Sequence, residues 1–424
     1  MAQTNVFVIG LDEENRRTLS EVPFAVGYRF HPLLDVAELQ QGEIPVADLL
    51  AKACKELDAF DGSIDAIVGY WDFPVSTLVP ILAERYGTRA TSLESVVKCE
   101  HKYWSRLEQS QVVDEHPRFA LVDLEGEPKP PEGLRFPMWL KPVKSYSSEL
   151  AFGVADETEF RQAVAEIREG IGRIGRPFEF VMDRLDLPPE VAEAGGQACL
   201  AEESLSGVQA AVEGYVYDGE VVVYGVLDSI NYPGTSSFLR HQYPSALPEP
   251  VVRRLREVSR RVIERIGMNW ATFSIEYFYD AAKDEIALLE INPRHSQSHA
   301  ELFEFVDGVP NHHCMLSLAL GRDPELPYRA GPYAVSGKWY HRQFTDGVVR
   351  RVPTEEEIER VEREIPGVRV AVKVADGQRL SELSGQDSYS YELAHVYVGA
   401  DSEAELREKY DRCLAMLPYE FGEE

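Results

Sequence analysis

The sequence predicts a multi-lobe protein that mixes α/β and α+β architecture. Three observations point there. At 424 residues the chain is too long for one simple core, so two to four packed lobes are expected. Strand and helix patterns alternate over the first stretch, as in an open Rossmann-like α/β lobe. From about residue 118 the pattern changes to short strands around few helices, and no repeat or low-complexity linker separates the parts.

Residues 1–95 form the first predicted lobe, with an apolar strand at 6–10, another at 64–69 and helical spacing over Val75–Tyr86. Thr91 and Glu94 resemble a capping box opening a helix that runs through Lys98, Lys102 and Leu107. A second region, 96–325, divides into a small lobe at about 118–205 and a large lobe at about 206–325. The small lobe has strands at 135–142 and 197–203 and a helix at 157–169. Its glycine run from Gly170 to Gly175 matches GxGxxG formally, but it ends a helix instead of opening one, so it reads as a loop. The large lobe has strands at 211–217 and 221–229, a helix at 250–266, strands at 272–279 and Glu285–Asn292, and a helix at 310–320. Residues 326–424 read as an α+β closing lobe: a strand, the acidic helix Glu355–Glu364, a strand, a polar loop, a strand at 392–398 and a last helix capped by Ser402 and Glu405.

Composition narrows the function. Hydrophobic residues make up 44% and charged residues 27% of the chain, and no apolar run approaches the roughly 18 to 20 residues of a membrane span. A net charge of -29 repels phosphate backbones and acidic lipid, so neither nucleic acid nor membrane is expected as a partner. The first residues read as a strand and an acidic turn instead of a secretion signal, so a cytoplasmic location is expected. Five scattered cysteines, Cys54, Cys99, Cys199, Cys314 and Cys413, lack CxxC spacing and read as reduced structural thiols.

The strongest chemical signal is Phe273-Ser274-Ile275-Glu276-Tyr277-Phe278 followed by Leu289-Glu290-Ile291-Asn292-Pro293-Arg294. Two strands joined by a short turn make a hairpin, and residues two apart share a face, so Glu290, Asn292 and Arg294 align. Pairing about Lys283 sets Glu276 opposite Glu290. Like charges facing across a ladder are unfavourable unless a cation lies between them. Magnesium suits that place: it takes one or two carboxylates, an amide oxygen and phosphate oxygens, and a neighbouring Arg complements a transferred phosphoryl group. The plainer alternative, two exposed carboxylates each paired with Lys or Arg, is disfavoured because Glu276 lies in an aromatic strand and Glu290 ends the apolar run 286–289.

These two strands resemble the metal-binding strands of the ATP-grasp superfamily, in which a Glu and a Glu-x-Asn hold magnesium. The resemblance extends upstream over roughly residues 90–320. Cys99-Glu100-His101-Lys102-Tyr103 looks like the family's helix with an ATP-phosphate lysine, and Phe136-Pro137-Met138-Trp139-Leu140-Lys141-Pro142 like its second lysine strand. Ala201-Glu202-Glu203-Ser204-Leu205-Ser206-Gly207 resembles the interlobe hinge that reads adenine through the backbone around Glu203 and Leu205, with Glu202 facing the amino group. Gln209 stands where the family usually carries a ribose-binding carboxylate. The family's phosphate-covering loop is glycine-rich, whereas here Lys144, Ser147 and their neighbours follow Lys141.

The resemblance implies an ATP-grasp fold, with a preceding Rossmann-like lobe and a C-terminal closing lobe. It also implies ATP with Mg2+, or Mn2+ as a substitute, and a carboxylate-amine ligase reaction on an amino-acid-like substrate through an acyl phosphate, with Lys102, Lys141 and Arg294 neutralising charge. Small-molecule carboxylates and amines would be the partners, and a homo-oligomer is compatible with it. Substrate candidates follow the metal strand, His295, Gln297, Ser298 and His299, or lie at 228–232, Arg240-His241 and 339–342. Three alternatives share the ATP motifs: a biotin-carboxylase-like enzyme, a thioester- or tag-forming ligase, and a non-catalytic ATP-binding regulator, the last disfavoured by the complete Glu276, Glu290, Asn292 and Arg294 set.

Overall fold

The structure is a computed structural model that describes residues 3–145, 149–383 and 390–422. Its first sheet is parallel and three-stranded, with Thr4–Ile9 between Tyr28–Leu33 and Ala66–Val68. Strand alternation divides its core. Phe7 and Ile9 face the helices Val46–Asp58 and Val75–Tyr86, while Val6 and Val8 face the helix His312–Ala319, which arrives from far along the chain.

A four-stranded antiparallel sheet follows, in the order Phe119–Val122, Cys199–Glu203, Met138–Pro142, Phe152–Val154. The helix Glu157–Gly170 covers one face through Phe160, Val164 and Ile167, which pack on Met138, Leu140 and Ala201. The third sheet has eight strands, all antiparallel neighbours: Glu285–Asn292, Ala271–Asp280, Val208–Tyr217, Glu220–Asn231, Phe238–Tyr243, Val335–Gln343, Tyr391–Ala400 and Val368–Val372. The last three strands come from beyond residue 325, so the C-terminal stretch extends the sheet that carries the Glu276–Glu290 hairpin. Glu249–Ile266 buries Val251, Leu255, Val258 and Val262 against Val212, Phe273 and Ile275 of that sheet.

The sequence reading needs correction in four places. The glycine run at 170–175 is no loop: Gly172–Met182 is a helix, because Ile174, Phe178, Val181 and Met182 pack into the first-lobe core and override the Gly and Pro signals. The helix that follows the first lobe is two helices, Leu93–Glu100 and Lys102–Gln109, broken at His101, whose ring nitrogen accepts from Trp104 N. Its cap is Ser92, which accepts from Ser95 N, and not Thr91. The strand Phe238–Tyr243 and the helix Ala300–Asp307 carried no signal that was read. All five cysteines are buried and free, as expected of structural thiols. Among the described residues no helix is long and apolar enough to cross a membrane.

The four- and eight-stranded sheets meet at Gly207, just before Val208–Tyr217. Its φ of +111° lies in the region that favours glycine, and a Cβ there would sit 2.1 Å from the Tyr279 carbonyl oxygen. Gly207→Ala therefore forces the hinge off the hairpin backbone. It is expected to lower the stability by about 1–3 kcal/mol in urea unfolding, and an unchanged midpoint would show that the junction tolerates a side chain.

Candidate active site

The hairpin pairs Glu276 with Glu290 directly across the ladder, as spacing about Lys283 predicts. Asn292 stands opposite Ser274, on the same face as Glu290. A register shift follows Glu276, so Leu289 has no ladder partner. Its carbonyl accepts instead from Arg106, at 2.6 Å. Burial, together with the Glu290 charge, pushes the Glu276 carboxyl up to about 7, although Arg294 and a hydrogen bond from Gln209 Nε2 at 2.8 Å favour its ionised form. A cation between the two carboxylates would relieve that conflict. Among the described residues no three His, Cys, Asp or Glu side chains gather into a metal-binding group. The donor set at the hairpin is two carboxylates and one amide oxygen, which fits magnesium completed by phosphate oxygens and water.

The lysine helix, lysine strand and hinge strand converge on this hairpin. Lys102, Arg106, Lys141, Glu202 and Glu290 line one cleft. Lys102 opens its helix, donates from Nζ to the Ser145 carbonyl at 2.8 Å and lies 3.7 Å from Glu290. Burial lowers the Lys102 pKa, with Glu290 opposing. Lys141 is the last residue but one of the strand Met138–Pro142 and meets Glu202 at 2.6 Å, while Arg106 Nε meets the other Glu202 oxygen at 2.7 Å. Burial alone would raise Glu202, but those two cations outweigh it and hold the carboxyl at about 2.

The remaining predicted residues are distributed as follows. Glu203 accepts from Arg135 N at the hinge, and Leu205 sits in the loop between the two sheets. Lys144 is buried against Glu100 and over the rings of Phe73 and Phe178, so its charge is already balanced by the helix Leu93–Glu100. Ser147 lies outside the described residues. Arg294 donates from Nε and Nη2 to Asp72 Oδ1, at 2.9 and 2.6 Å. His295 is fully buried between Thr272 and His312, and His312 reaches Asn15 of the first lobe, which gives His295 a packing role between lobes. Arg240 departs from its expected place. On its strand His241 turns toward His299 and Tyr340, so Arg240 turns to the opposite face, under Glu403 and over the Trp339 ring. Ser298 lies within 3.4 Å of the Tyr340 hydroxyl.

Three site residues escaped the sequence reading. Asp72 belongs to the loop after Ala66–Val68, at the carboxyl end of a parallel strand, where open α/β sheets place their ligands. Arg106 lies four residues after Lys102 and so shares its helix face, a signal that was available. Glu213 is fully buried. Its Oε1 accepts from Ser296 N and lies 3.0 Å from His299 Nδ1, its Oε2 accepts from the Tyr224 hydroxyl, and burial pushes its carboxyl up to about 8. Nothing local distinguishes Glu213 in the sequence. Arg106→Met would leave Glu202 buried with Lys141 as its remaining cation. It is expected to cost about 3–5 kcal/mol in urea unfolding, and an unchanged midpoint would remove Arg106 from the framework of the cleft.

Comparison with known proteins agrees with this geometry. Residues 134–300 match the family model of the ATP-grasp domain. The L-amino acid ligase from Bacillus licheniformis has a similar structure, with a TM-score of 0.73 at 14% identity over 100% of both chains. Phosphoribosylglycinamide synthetase from Anaerococcus prevotii is similar with a TM-score of 0.67 at 11% identity, over 99% of this chain and 100% of that one. Biotin carboxylase from Campylobacter jejuni gives 0.67 at 14% identity, over 99% of this chain and 92% of that one. No curated protein matches by sequence. Residues 134–300 thus carry an ATP-grasp domain, and the chain as a whole shares the fold of these ATP-grasp structures.

Proposed function

We propose that this chain is an ATP-dependent carboxylate-amine ligase, which activates a substrate carboxylate as an acyl phosphate and transfers it to an amine. One observation carries the reading: Glu290, which faces Glu276 directly across the hairpin, lines the same cleft as the two buried lysines Lys102 and Lys141. Adenine binding alone has no use for that pair, whereas phosphoryl transfer needs cations on both sides of the migrating group. Glu276, Glu290 and Asn292 would hold magnesium, which when bound neutralises the charge that grows on the terminal phosphates.

The chain's own side chains supply the rest. Lys102 and Lys141 present ammonium groups to the phosphates; to do so Lys141 exchanges Glu202 for a phosphate oxygen, and Arg106 keeps Glu202 paired meanwhile. Arg294 exchanges Asp72 for the oxygens of the transferred group, a planar cation suited to two acceptors at once. The hinge backbone around Glu203 and Leu205 reads the adenine edge. The amine then displaces phosphate, so overall one ATP and two substrates give amide, ADP and phosphate. Positioning and electrostatics account for the rate, and the buried cysteines are not needed as nucleophiles.

The test is ADP release from Mg-ATP in the presence of pooled amino acids and small carboxylates, with mass spectrometry on any responding pool. A product lighter than two pool members by one water is expected. Glu290→Ala should reduce that turnover by about a hundredfold or more while the fold is retained. Full turnover in Glu290→Ala would end the metal-site assignment, and ADP release without a condensed product would contradict the ligase reading.

A further inference from the structure

Turning Arg294 toward the transferred group strips Asp72 of its cation. Asp72 Oδ1 accepts from both Arg294 Nε, at 2.9 Å, and Arg294 Nη2, at 2.6 Å, and no other cation is paired with Asp72 among the described residues. The buried acids nearby are better provided: Glu202 is held by Arg106 as well as Lys141, and Glu100 is paired with the buried Lys144. Access separates them too. The Asp72 side chain is 30% exposed, against 4% for Glu202 and 3% for Glu100, so a group carried by a substrate can reach it.

Asp72 stands beside the reacting end of the site. It follows Ala66–Val68 at the carboxyl end of a parallel strand, where open α/β sheets place their ligands. Burial and the Glu290 charge push the Glu276 carboxyl up, and the Asp72 charge adds to them, so Asp72 lies near the facing glutamates as well. A carboxylate that takes the phosphoryl group from ATP meets Arg294, and Arg294 touches Asp72. In an α-amino acid the ammonium nitrogen is two bonds, about 2.5 Å, from the carboxylate carbon. A donor of that shape carries its own cation into the place that the guanidinium vacates. The cation is the donor's and not the acceptor's, because an amine held as an ammonium has no lone pair with which to attack.

We infer that Asp72 binds the α-ammonium of the substrate whose carboxylate is activated, so that the donor is an α-amino acid with a free amine. This rests on the ligase reading above. The ammonium displaces Arg294 from Asp72 and so releases it to the phosphoryl oxygens, and neither the carboxylate nor the guanidinium is left unpaired. A donor without the ammonium leaves Arg294 on Asp72 and is activated slowly. Bicarbonate and simple carboxylates are therefore poor donors, and the product keeps the donor's amine free.

The inference is tested on the full-length protein with Mg-ATP and hydroxylamine as the acceptor. The donor carboxylate displaces ADP from the γ-phosphorus, the hydroxylamine nitrogen displaces phosphate from the acyl carbon and loses a proton, and the hydroxamate is read by its ferric absorbance. Donors are the standard α-amino acids, each matched with the acid that carries hydrogen in place of the α-ammonium. For the best pair the wild type is expected to favour the amino acid in kcat/KM by at least about thirtyfold. Asp72→Asn should bring the two within about threefold, whatever it does to the absolute rates, and Asp72→Glu should keep part of the preference. Equal use of both donors by the wild type, or a preference intact in Asp72→Asn, would overturn the inference and leave the ligase reading standing, since hydroxamate still forms. The first of these comparisons needs no variant, so it decides even where Asp72→Asn does not fold. Hydroxamate from none of the donors would reject the ligase reading and the inference with it.

Discussion

The site is organised around an unfavourable contact. Glu276 and Glu290 face each other across adjacent strands, a placement that a β-ladder penalises. The fold stabilises it from behind. Gln209 holds Glu276, Lys102 approaches Glu290, and Arg106 reaches around to take the carbonyl that the bulge at Leu289 exposes. Two of these supports share the helix Lys102–Gln109 and the third stands on Val208–Tyr217, so the pair is where that helix, that strand and the hairpin converge.

A common pattern runs through the cleft: its cations are paired with protein carboxylates, which in the proposed reaction the substrates replace. Lys141 rests on Glu202 and Arg294 on Asp72. In both cases the carboxylate left behind is not stranded, since Arg106 retains Glu202 and Asp72 is half-buried near the surface of the first lobe. Keeping buried charges paired throughout limits the desolvation cost that an isolated ion would incur.

How far the sequence revealed this depended on the range of the interaction. The Glu276–Glu290 pairing was legible because strand period and turn length act over a few residues. The convergence of Lys102 and Lys141 on that pair was legible through the resemblance, since order along the chain matched a known arrangement. The partners of the key cations were not. Arg106 and Glu202 are 96 residues apart, Arg294 and Asp72 are 222 apart, and Glu213 and His299 are 86 apart. Local pattern carries no record of such pairs. The helix Gly172–Met182 failed for a related reason: its glycines and proline signal a break, and only the distant first-lobe core supplies the packing that holds it together. Arg240 shows the cost of ignoring alternation, because its neighbour His241 takes the face that the site uses.

The central claim is that the facing carboxylates exist to hold a nucleotide-bound divalent cation. The most direct measurement is a crystal structure with Mn2+ and a non-hydrolysable ATP analogue, with the metal located by its anomalous scattering. The account predicts manganese between Glu276 and Glu290, with Asn292 and phosphate oxygens completing its shell. Nucleotide bound with its metal elsewhere, and the two glutamates in contact with protein cations alone, would contradict it.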